Sequence, residues 1–348
     1  MHLPAVPPLD LEARKKAQAR LDDLTKPRGS LGRLEEIAAQ LAAITGDPLP
    51  PLPKKAAILM AADHGVTAEG VSAYPREVTA QMVVNFARGG AAMSVLSRHV
   101  GAELVVVDIG VAQDLPPLPG VLSRKVAYGT RNFTRGPAMT REEAARAVAV
   151  GLEVVGEVMA RGAGLIGLGE MGIGNTTAST AILAVYSGRP VRELVGRGTG
   201  IDDTRLANKI RAIEEALAVN RPDRNNAWDV LAKVGGLEIA GLAGVIIGAA
   251  AARRAVLVDG FIAAAAALIA VGLVPAVRDY LLASHLSAEP GHRLMLELLG
   301  LEPILLMEMR LGEGVGAALT MPVVEAALKI LREMATFGQA GVSRKEGL

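Results

Sequence analysis

Short apolar runs alternate with longer amphipathic segments along most of the chain. Compact apolar runs of this kind are typical of strands in a parallel sheet, because helices cover both faces of such a sheet. The runs are Ala56–Asp63, Glu103–Gly110, Gly164–Glu170, Ala255–Gly260 and Pro303–Met309. The alternation predicts an α/β fold with an open, doubly wound parallel sheet, whose ligands bind beyond the carboxyl ends of the strands.

Helical patterns occupy the segments between these runs. Thr140 and Glu143 have the spacing of a capping box, and apolar residues then recur every three or four positions as far as Met159. Further helices are predicted over Ala178–Tyr186 and from Asp202 to Asn220. Strands and helices therefore alternate as expected for βαβ units.

Both ends of the chain are helical without intervening strands. Amphipathic patterns cover Leu11–Leu24, Leu31–Ile44 and Val323–Phe337, and the proline-rich segment Pro48–Pro53 is typical of a stiff linker. We therefore predict a small helical domain formed by residues 1–50 and 323–348, beside a large α/β domain of residues 51–322.

Composition narrows the classes of partner. The net charge of +1 provides no broad field for holding nucleic acid or an anionic membrane, so a small-molecule partner is expected. The absence of cysteine excludes disulfides and thiolate chemistry and suits the cytoplasm. Met1–Asp10 lacks the basic and apolar regions of a secretory signal, which is therefore not expected.

One segment is apolar enough to raise the question of a membrane span. Gly260–Val277 runs for 18 residues without a charge, which is close to the lower limit for crossing a bilayer. Alanine dominates the segment, and Asp259 and Arg278 bracket it. We interpret it as a buried helix of a large α/β domain.

A glycine-rich segment from Gly169 to Thr177 connects a predicted strand to a predicted helix. Glycines allow backbone N–H groups to approach an anion closely, and the helix N-terminus adds its positive dipole end. Thr176 and Thr177 could complete a phosphate site with their hydroxyl groups. The segment is not a Walker A motif, and glycines that merely permit tight packing are the alternative interpretation.

A second glycine segment, Gly196–Asp203, precedes the helix that carries Lys209. This lysine could supply a cation for the phosphate, although a lysine on a helix is usually solvated. The adjacent pair Asp202 and Asp203 is also found in phosphoribosyl-pyrophosphate sites, but no apolar strand precedes it here. A helix cap is the simpler interpretation of the pair.

Glu313 is the best candidate for a general base. It lies between two glycines in the segment Arg310–Gly316, directly after a predicted strand. Small neighbours leave room for a planar ligand, and an apolar site would raise the pKa of the carboxyl group toward that of a useful base. An exposed glutamate in a turn is the alternative.

The remaining polar side chains give weaker signals. Ser72, Tyr74 and Gln81 lie in a predicted turn before a helix, where they could contact a ring or form part of the core or a cap. His64, His285 and the other histidines lack the spacing of a metal site and are expected to fix loops. No metal is expected.

Nine sequence motifs resemble those of the nicotinate-nucleotide:dimethylbenzimidazole phosphoribosyltransferase family, also called the CobT family, and they occur in the same order along the chain. They span nearly the whole chain, and such a series is far more specific than a single glycine loop. One departure is Arg28, where the family has a second proline. The motifs are KPRGSLGRLE (26–35), AADHGV (61–66), GVSAYPREVTAQMVVNF (70–86), GEMGIGNTT (169–177), GRGTGIDD (196–203), GGLEIAGLAG (235–244), VDGFI (258–262), SAEPGH (287–292) and RLGEG (310–314).

The resemblance implies a Rossmann-like large domain, a small helical domain from both termini, a cytoplasmic homodimer, no cofactor, and transfer of phosphoribose from nicotinate mononucleotide to dimethylbenzimidazole. It implies that Glu313 is the general base and that Glu170 belongs to the substrate site. The implied phosphate and ribose site comprises Gly172, Gly174, Asn175, Thr176, Thr177 and Lys209. The implied base pocket comprises Ser72, Tyr74, Gln81 and Leu311.

Two other functions remain open on the residues alone. A nicotinamide-cofactor oxidoreductase would need an acidic residue about 20 residues after a first glycine fingerprint, and no convincing arrangement is present. A non-catalytic nucleotide-binding module could use the same fold, because fold does not fix function.

Overall fold

A parallel sheet forms the centre of the protein. The computed structural model describes residues 1–198 and 200–343; Thr199, in the second glycine segment, and residues 344–348, at the end of the predicted small domain, lie outside this range. The strands of the described part are β1 (Lys54–Ala62), β2 (Glu103–Gly110), β3 (Val121–Ser123), β4 (Ala163–Met171), β5 (Ala255–Val258), β6 (Leu281–Leu286) and β7 (Pro303–Leu306).

Helices connect these strands and flank the sheet. Two short 3₁₀ helices cover Gly65–Glu69 and Pro275–Tyr280. The α-helices of the described part are α1 (Leu11–Asp23), α2 (Arg33–Thr45), α3 (Val78–Ala87), α4 (Ala92–Val100), α5 (Arg141–Ala160), α6 (Asn175–Ser187), α7 (Val191–Leu194), α8 (Asp203–Asn220), α9 (Ala227–Val234), α10 (Leu237–Ala251), α11 (Phe261–Leu273), α12 (His292–Leu299), α13 (Val315–Glu333) and α14 (Phe337–Ala340).

The strand order places a crevice beside β1. The order is β3-β2-β1-β4-β5-β6-β7 and every pair is parallel. The chain therefore winds outward from β1 in one direction and then from β4 in the other, which confirms the predicted doubly wound sheet. Ligands of such sheets bind at this reversal, beyond the carboxyl ends of the strands.

Helices cover both faces of the sheet. Ala317 and Met321 of α13 pack against Gly167 of β4, whereas Gly241 of α10 packs against Met60 of β1. Gly167 pairs with Ala57, three positions from Met60, and side chains alternate along a strand, so α13 and α10 lie on opposite faces. Small residues at these contacts bring helix and strand close together, as the alanine-rich composition suggests.

The uncharged segment Gly260–Val277 forms the buried helix α11 and the 3₁₀ turn after it. This matches the interpretation of the segment as part of the core. No helix among the described residues has the length and apolar character needed to span a membrane.

Some predicted bounds were wrong. Strands β3 and β6 were missed, because β3 has only three residues and Ser284 and His285 interrupt the apolar run of β6. The predicted helix over Val323–Phe337 begins instead at Val315 and contains Pro322 in its interior. Helix α6 begins at Asn175 rather than Ala178.

The two ends of the chain lie together. Helix α1 packs on α2, and both contact α13. The guanidinium of Arg20 donates a hydrogen bond of 2.6 Å to the carbonyl of Leu331. Because α13 runs without interruption through residue 323, the division into residues 1–50 with 323–348 and residues 51–322 remains a prediction.

Candidate active site

Two adjoining cavities lie beyond the carboxyl ends of β1 and β4. The larger is a cleft of about 820 Å³, and the smaller has a volume of about 40 Å³. They share a wall made by the loop after β4, which we call the phosphate loop (Gly172–Asn175), together with Thr176 and Gly198. Most of the predicted site residues line these cavities: Glu170, Glu313, Tyr74 and Leu311 line the cleft, Gly174, Lys209 and Ser72 line the smaller cavity, and Gly172, Asn175 and Thr176 line both.

A left-handed backbone carries Glu313 into the cleft. Gly312, Glu313 and Gly314 have φ angles of +81°, +64° and +97°. This conformation costs a non-glycine residue about 1–2 kcal/mol, and such outliers are enriched at functional sites. The buried carboxylate of Asp259 stabilises the turn by accepting hydrogen bonds from the backbone N–H of Gly314 (3.2 Å) and Ala317 (3.0 Å), at the start of α13.

The environment of Glu313 suits a base. Its side chain is only 7% exposed although it faces the cleft, so the exposed-turn alternative does not hold. Burial raises the pKa of the carboxyl group, and a hydrogen bond from the Met93 backbone N–H (3.3 Å) partly opposes the rise. A carboxylate with a raised pKa is a stronger proton acceptor than one in water.

Glu170 lies at the end of β4, beside the Glu313 turn. Burial raises its pKa to about 8, and the negative charges of Glu238, Asp259 and Glu313 add to the rise. The side-chain amide of Asn175 donates a hydrogen bond to it, and so does the backbone N–H of Glu313. Two buried glutamates with raised pKa values thus line the same cleft.

The smaller cavity has the features of an anion site. The phosphate loop leads into the N-terminus of α6, with Gly174 at φ +96° allowing the tight turn. The Lys209 ammonium, buried at the edge of this cavity, donates hydrogen bonds to the Thr176 hydroxyl (2.8 Å) and the Gly196 carbonyl (3.3 Å). Burial lowers the pKa of Lys209 to about 8, although the charge of Glu289 opposes the shift. An anion there would restore the charged form.

One residue predicted for the phosphate site lies away from both cavities. Thr177 is fully buried in the first turn of α6, and its hydroxyl has no hydrogen-bond partner within the described residues. The early start of α6 explains this position, because it turns consecutive side chains to different sides of the helix.

The residues predicted for the base pocket differ in their positions. Tyr74 and Leu311 are 51% and 56% exposed at the cleft. Ser72 lines the smaller cavity instead and accepts a hydrogen bond from the Tyr74 backbone N–H (3.1 Å). Gln81 is exposed on α3 and lines neither cavity. The apolar wall of the cleft is formed by Val78, Met82, Leu96, Met171, Ile262 and Val315.

Sequence reasoning missed several polar residues of the site. Arg310 lines the cleft and donates a hydrogen bond of 2.7 Å to the Gly198 carbonyl, and Ser287 and Glu289 also line it. Arg310 lies in the RLGEG motif, and Ser287 and Glu289 lie in the SAEPGH motif. Both motifs were identified from the sequence, but no role was assigned to these three residues. Asp259 likewise lies in VDGFI, and only the fold reveals its contact with the start of α13.

His285 and His292 lie side by side, and His285 also lines the cleft. The rings of His285 and His292 lie 6.2 Å apart, and burial lowers their pKa values to about 4 and about 3. His292 Nδ1 accepts a hydrogen bond from the Ser287 backbone N–H (2.8 Å), which agrees with the predicted loop-fixing role. Within residues 1–198 and 200–343, no group of three or more histidine, aspartate or glutamate side chains could hold a metal ion.

Comparison with known proteins decides the family. A family model described as phosphoribosyltransferase matches residues 6–342. The chain belongs to this phosphoribosyltransferase family. Proteins named nicotinate-nucleotide–dimethylbenzimidazole phosphoribosyltransferase from Geobacter sulfurreducens and Chloroflexus aggregans are 60% and 57% identical to it, over 97% of this chain and 96% of each relative.

Solved structures agree with the assignment. A crystal structure of CobT from Thermus thermophilus is 49% identical and superposes with a TM-score of 0.93, covering 96% of this chain and all of that chain. The resemblance identified from the motifs is therefore confirmed, as are the fold class and the assignment as a transferase enzyme. The oxidoreductase and the non-catalytic module are set aside.

Proposed function

We propose that the chain transfers the 5-phosphoribosyl group of nicotinate mononucleotide to 5,6-dimethylbenzimidazole, in assembly of the cobalamin nucleotide loop. The products are nicotinate and α-ribazole 5′-phosphate. The observation that carries the proposal is the junction of an anion site with an apolar cleft containing Glu313. The names of the relatives support the same two substrates.

The nucleotide phosphate occupies the smaller cavity in this proposal. Backbone N–H groups at the start of α6 and the Lys209 ammonium would neutralise it. The ribose and the nicotinate ring would then extend into the cleft past Glu170. Fixing the phosphate places C1′ near the junction of the two cavities, where the acceptor base can reach it.

The reaction is a single displacement at C1′. A ring nitrogen of dimethylbenzimidazole forms the new bond while the bond from C1′ to the pyridinium nitrogen of nicotinate breaks. The electron pair of that bond neutralises the pyridinium, so the leaving group needs no proton. Attack from the opposite side converts the β-nucleotide into the α-product.

Two carboxylates assist this displacement in the proposal. The carboxylate of Glu313 accepts the proton from the second nitrogen of the benzimidazole, which would otherwise become cationic. Binding of the pyridinium favours the ionised form of Glu170, whose negative charge then stabilises the oxocarbenium-like transition state. Arg310 would hold the wall of the cleft through its hydrogen bond to Gly198.

We further propose a cytoplasmic homodimer that needs no cofactor or metal. Exposed apolar side chains near the cleft support the dimer, since Leu306, Met307 and Leu311 are 75%, 53% and 56% exposed. Light scattering of the purified protein should give twice the mass of the 36.0 kDa chain. A mass of one chain at micromolar concentration would contradict the dimer.

Product analysis tests the proposed reaction. The purified protein is incubated with nicotinate mononucleotide and dimethylbenzimidazole in the presence of EDTA. The products are separated by chromatography and identified by mass spectrometry. We expect nicotinate and ribazole 5′-phosphate in equal amounts. Failure with dimethylbenzimidazole and with a panel of other benzimidazoles, purines and phenols would contradict the transferase.

A further inference from the structure

A buried acid and histidine pair lies beneath the phosphate loop. His64 follows β1 and Glu238 lies in the first turn of α10, and both side chains are fully buried. His64 Nε2 donates a hydrogen bond of 2.7 Å to Glu238 Oε1. The other polar atoms of the pair, Nδ1 of His64 and Oε2 of Glu238, have no hydrogen-bond partner in the described part of the chain.

The burial of this acid and histidine pair needs a physical explanation. Removing a carboxylate from water is costly, and replacing a buried acid–base pair by apolar residues of similar volume is often neutral or even stabilising. Unpartnered buried polar atoms add to the cost. Stability alone therefore does not explain why His64 and Glu238 occupy this position.

The loop that receives the phosphate rests directly on the histidine. A Cβ atom placed on Gly172 would lie 3.4 Å from the His64 ring, and one on Gly174 would lie 3.3 Å from the His64 Cβ. Gly236, just before Glu238, is similarly close to both members of the pair. The side chain of His64 is thus enclosed between the phosphate loop and the start of α10.

Glu238 also affects one of the two carboxylates proposed for catalysis. Its negative charge contributes to the raised pKa of Glu170. Glu170 is in turn hydrogen-bonded to Asn175, the last residue of the phosphate loop. The pair therefore packs below Gly172 and Gly174, and Glu170, whose pKa the Glu238 charge raises, is hydrogen-bonded to the far end of the same loop.

We propose that His64 and Glu238 are positioning residues that hold the phosphate loop in the conformation that binds the nucleotide phosphate. The inference rests on the proposed function for the identity of the nucleotide. A backbone anion site depends on the direction of its N–H groups. In a well-oriented active site, a misplacement of about 1 Å can lower the reaction rate as much as 100-fold. A rigid hydrogen-bonded pair below the glycines limits such movement.

The main test replaces the pair by apolar residues, His64→Leu with Glu238→Met. Such a replacement is often neutral for stability, so we expect the double variant to fold. Urea unfolding will measure its stability. We expect the Kd for nicotinate mononucleotide, measured by calorimetric titration, to rise about tenfold or more. The KM for dimethylbenzimidazole should stay within about twofold, because its apolar wall is untouched.

Two further variants separate positioning from general damage. His64→Gln keeps an N–H donor near the Nε2 position and should bind the nucleotide within about threefold of wild type, whereas the shorter His64→Asn should show the loss of about tenfold. The control is Lys55→Met with Glu325→Leu, which removes an ion pair of 2.6 Å at the opposite end of β1. This control should leave the constants for both substrates unchanged.

The outcomes are distinct. Wild-type nucleotide affinity in a folded double variant, or an equal rise in the constants for both substrates, would overturn the positioning role. Wild-type protein that binds the nucleotide but never consumes it would contradict the proposed function, and the titrations would still decide the role of the pair. Wild-type protein that does not bind the nucleotide would overturn both.

Discussion

The chemistry of the site depends on ionisable side chains whose pKa values are shifted by burial. Glu313 could be selected from the sequence because glycines flank it after an apolar run. The sequence indicated only that an apolar site would raise its pKa; the burial that does so, and the opposing hydrogen bond from the Met93 backbone N–H, are visible only in the fold. No roles could be assigned in advance to Asp259 and Glu289, because spacing along a chain does not reveal contacts between distant motifs.

The pH dependence should show the titration of Lys209. Its pKa is lowered to about 8, and only the protonated form attracts the phosphate, so kcat/KM for the nucleotide should fall about tenfold per pH unit above about pH 8. On the acid side, activity should fall as the pH drops through the raised pKa values of Glu170 and Glu313, because both carboxylates act in their ionised forms. Initial rates between about pH 5 and 10 will show both limbs.

The Lys209→Arg variant provides the control. A guanidinium stays protonated throughout this range, so the alkaline limb should move to higher pH while the acid limb stays in place. An alkaline limb that persists near its wild-type position in Lys209→Arg would assign it to another group.

At the scale of elements, the βαβ alternation predicted most strands and helices, and the strand order then placed the site at β1 and β4. Strand β6 was not predictable, since Ser284 and His285 break its apolar run. The predicted helix was shorter than α13. The start of α13 depends on Asp259, which lies in another motif and accepts hydrogen bonds from the backbone N–H groups of Gly314 and Ala317. Its interior Pro322 is also a typical boundary signal in a sequence.

Asp259→Ala tests the anchoring of the Glu313 turn. The change leaves buried N–H groups at the start of α13 without an acceptor, so unfolding free energy should fall by about 1–3 kcal/mol. Displacement of Glu313 should lower kcat at least about tenfold in protein that remains folded. Urea unfolding and steady-state rates measure the two effects separately.

Thr140→Ala is the matched control for a lost helix cap. It removes the capping box of α5, where the Thr140 hydroxyl accepts a hydrogen bond from the Glu143 N–H at 3.1 Å, and Thr140 lines neither cavity. We expect a loss of about 1 kcal/mol of stability with kcat unchanged. An equal kcat in Asp259→Ala and Thr140→Ala would show that Asp259 only stabilises the helix.

For the whole molecule, composition restricted the partner to a small molecule, and the motif series indicated the family. The sequence alone could not show that distant segments form one cleft. The SAEPGH and RLGEG loops line the same cleft as the phosphate loop only in the folded protein. Gln81 and Thr177 belong to recognised motifs but line neither cavity, because membership of a motif does not determine where a side chain lies in the fold.

Nucleotide binding should stabilise the whole chain. At about 100 times its Kd, nicotinate mononucleotide should add about 2.7 kcal/mol to the free energy of unfolding, because it binds only the folded state. Urea titrations with and without the nucleotide measure this difference. Lys209→Met should lose most of the effect, and an unchanged urea midpoint in wild-type protein would contradict the assigned phosphate site.

The most direct test of the central claim is the anomeric configuration and rate of product formation by wild-type protein and Glu313→Gln. Proton NMR reports the configuration at C1′, and steady-state rates give kcat and the nucleotide KM. We predict the α-anomer from the wild type, and a kcat lowered by about 10²–10⁴ in Glu313→Gln with the nucleotide KM nearly unchanged. A β-product, or a variant that turns over like the wild type, would contradict the inverting displacement with Glu313 as base.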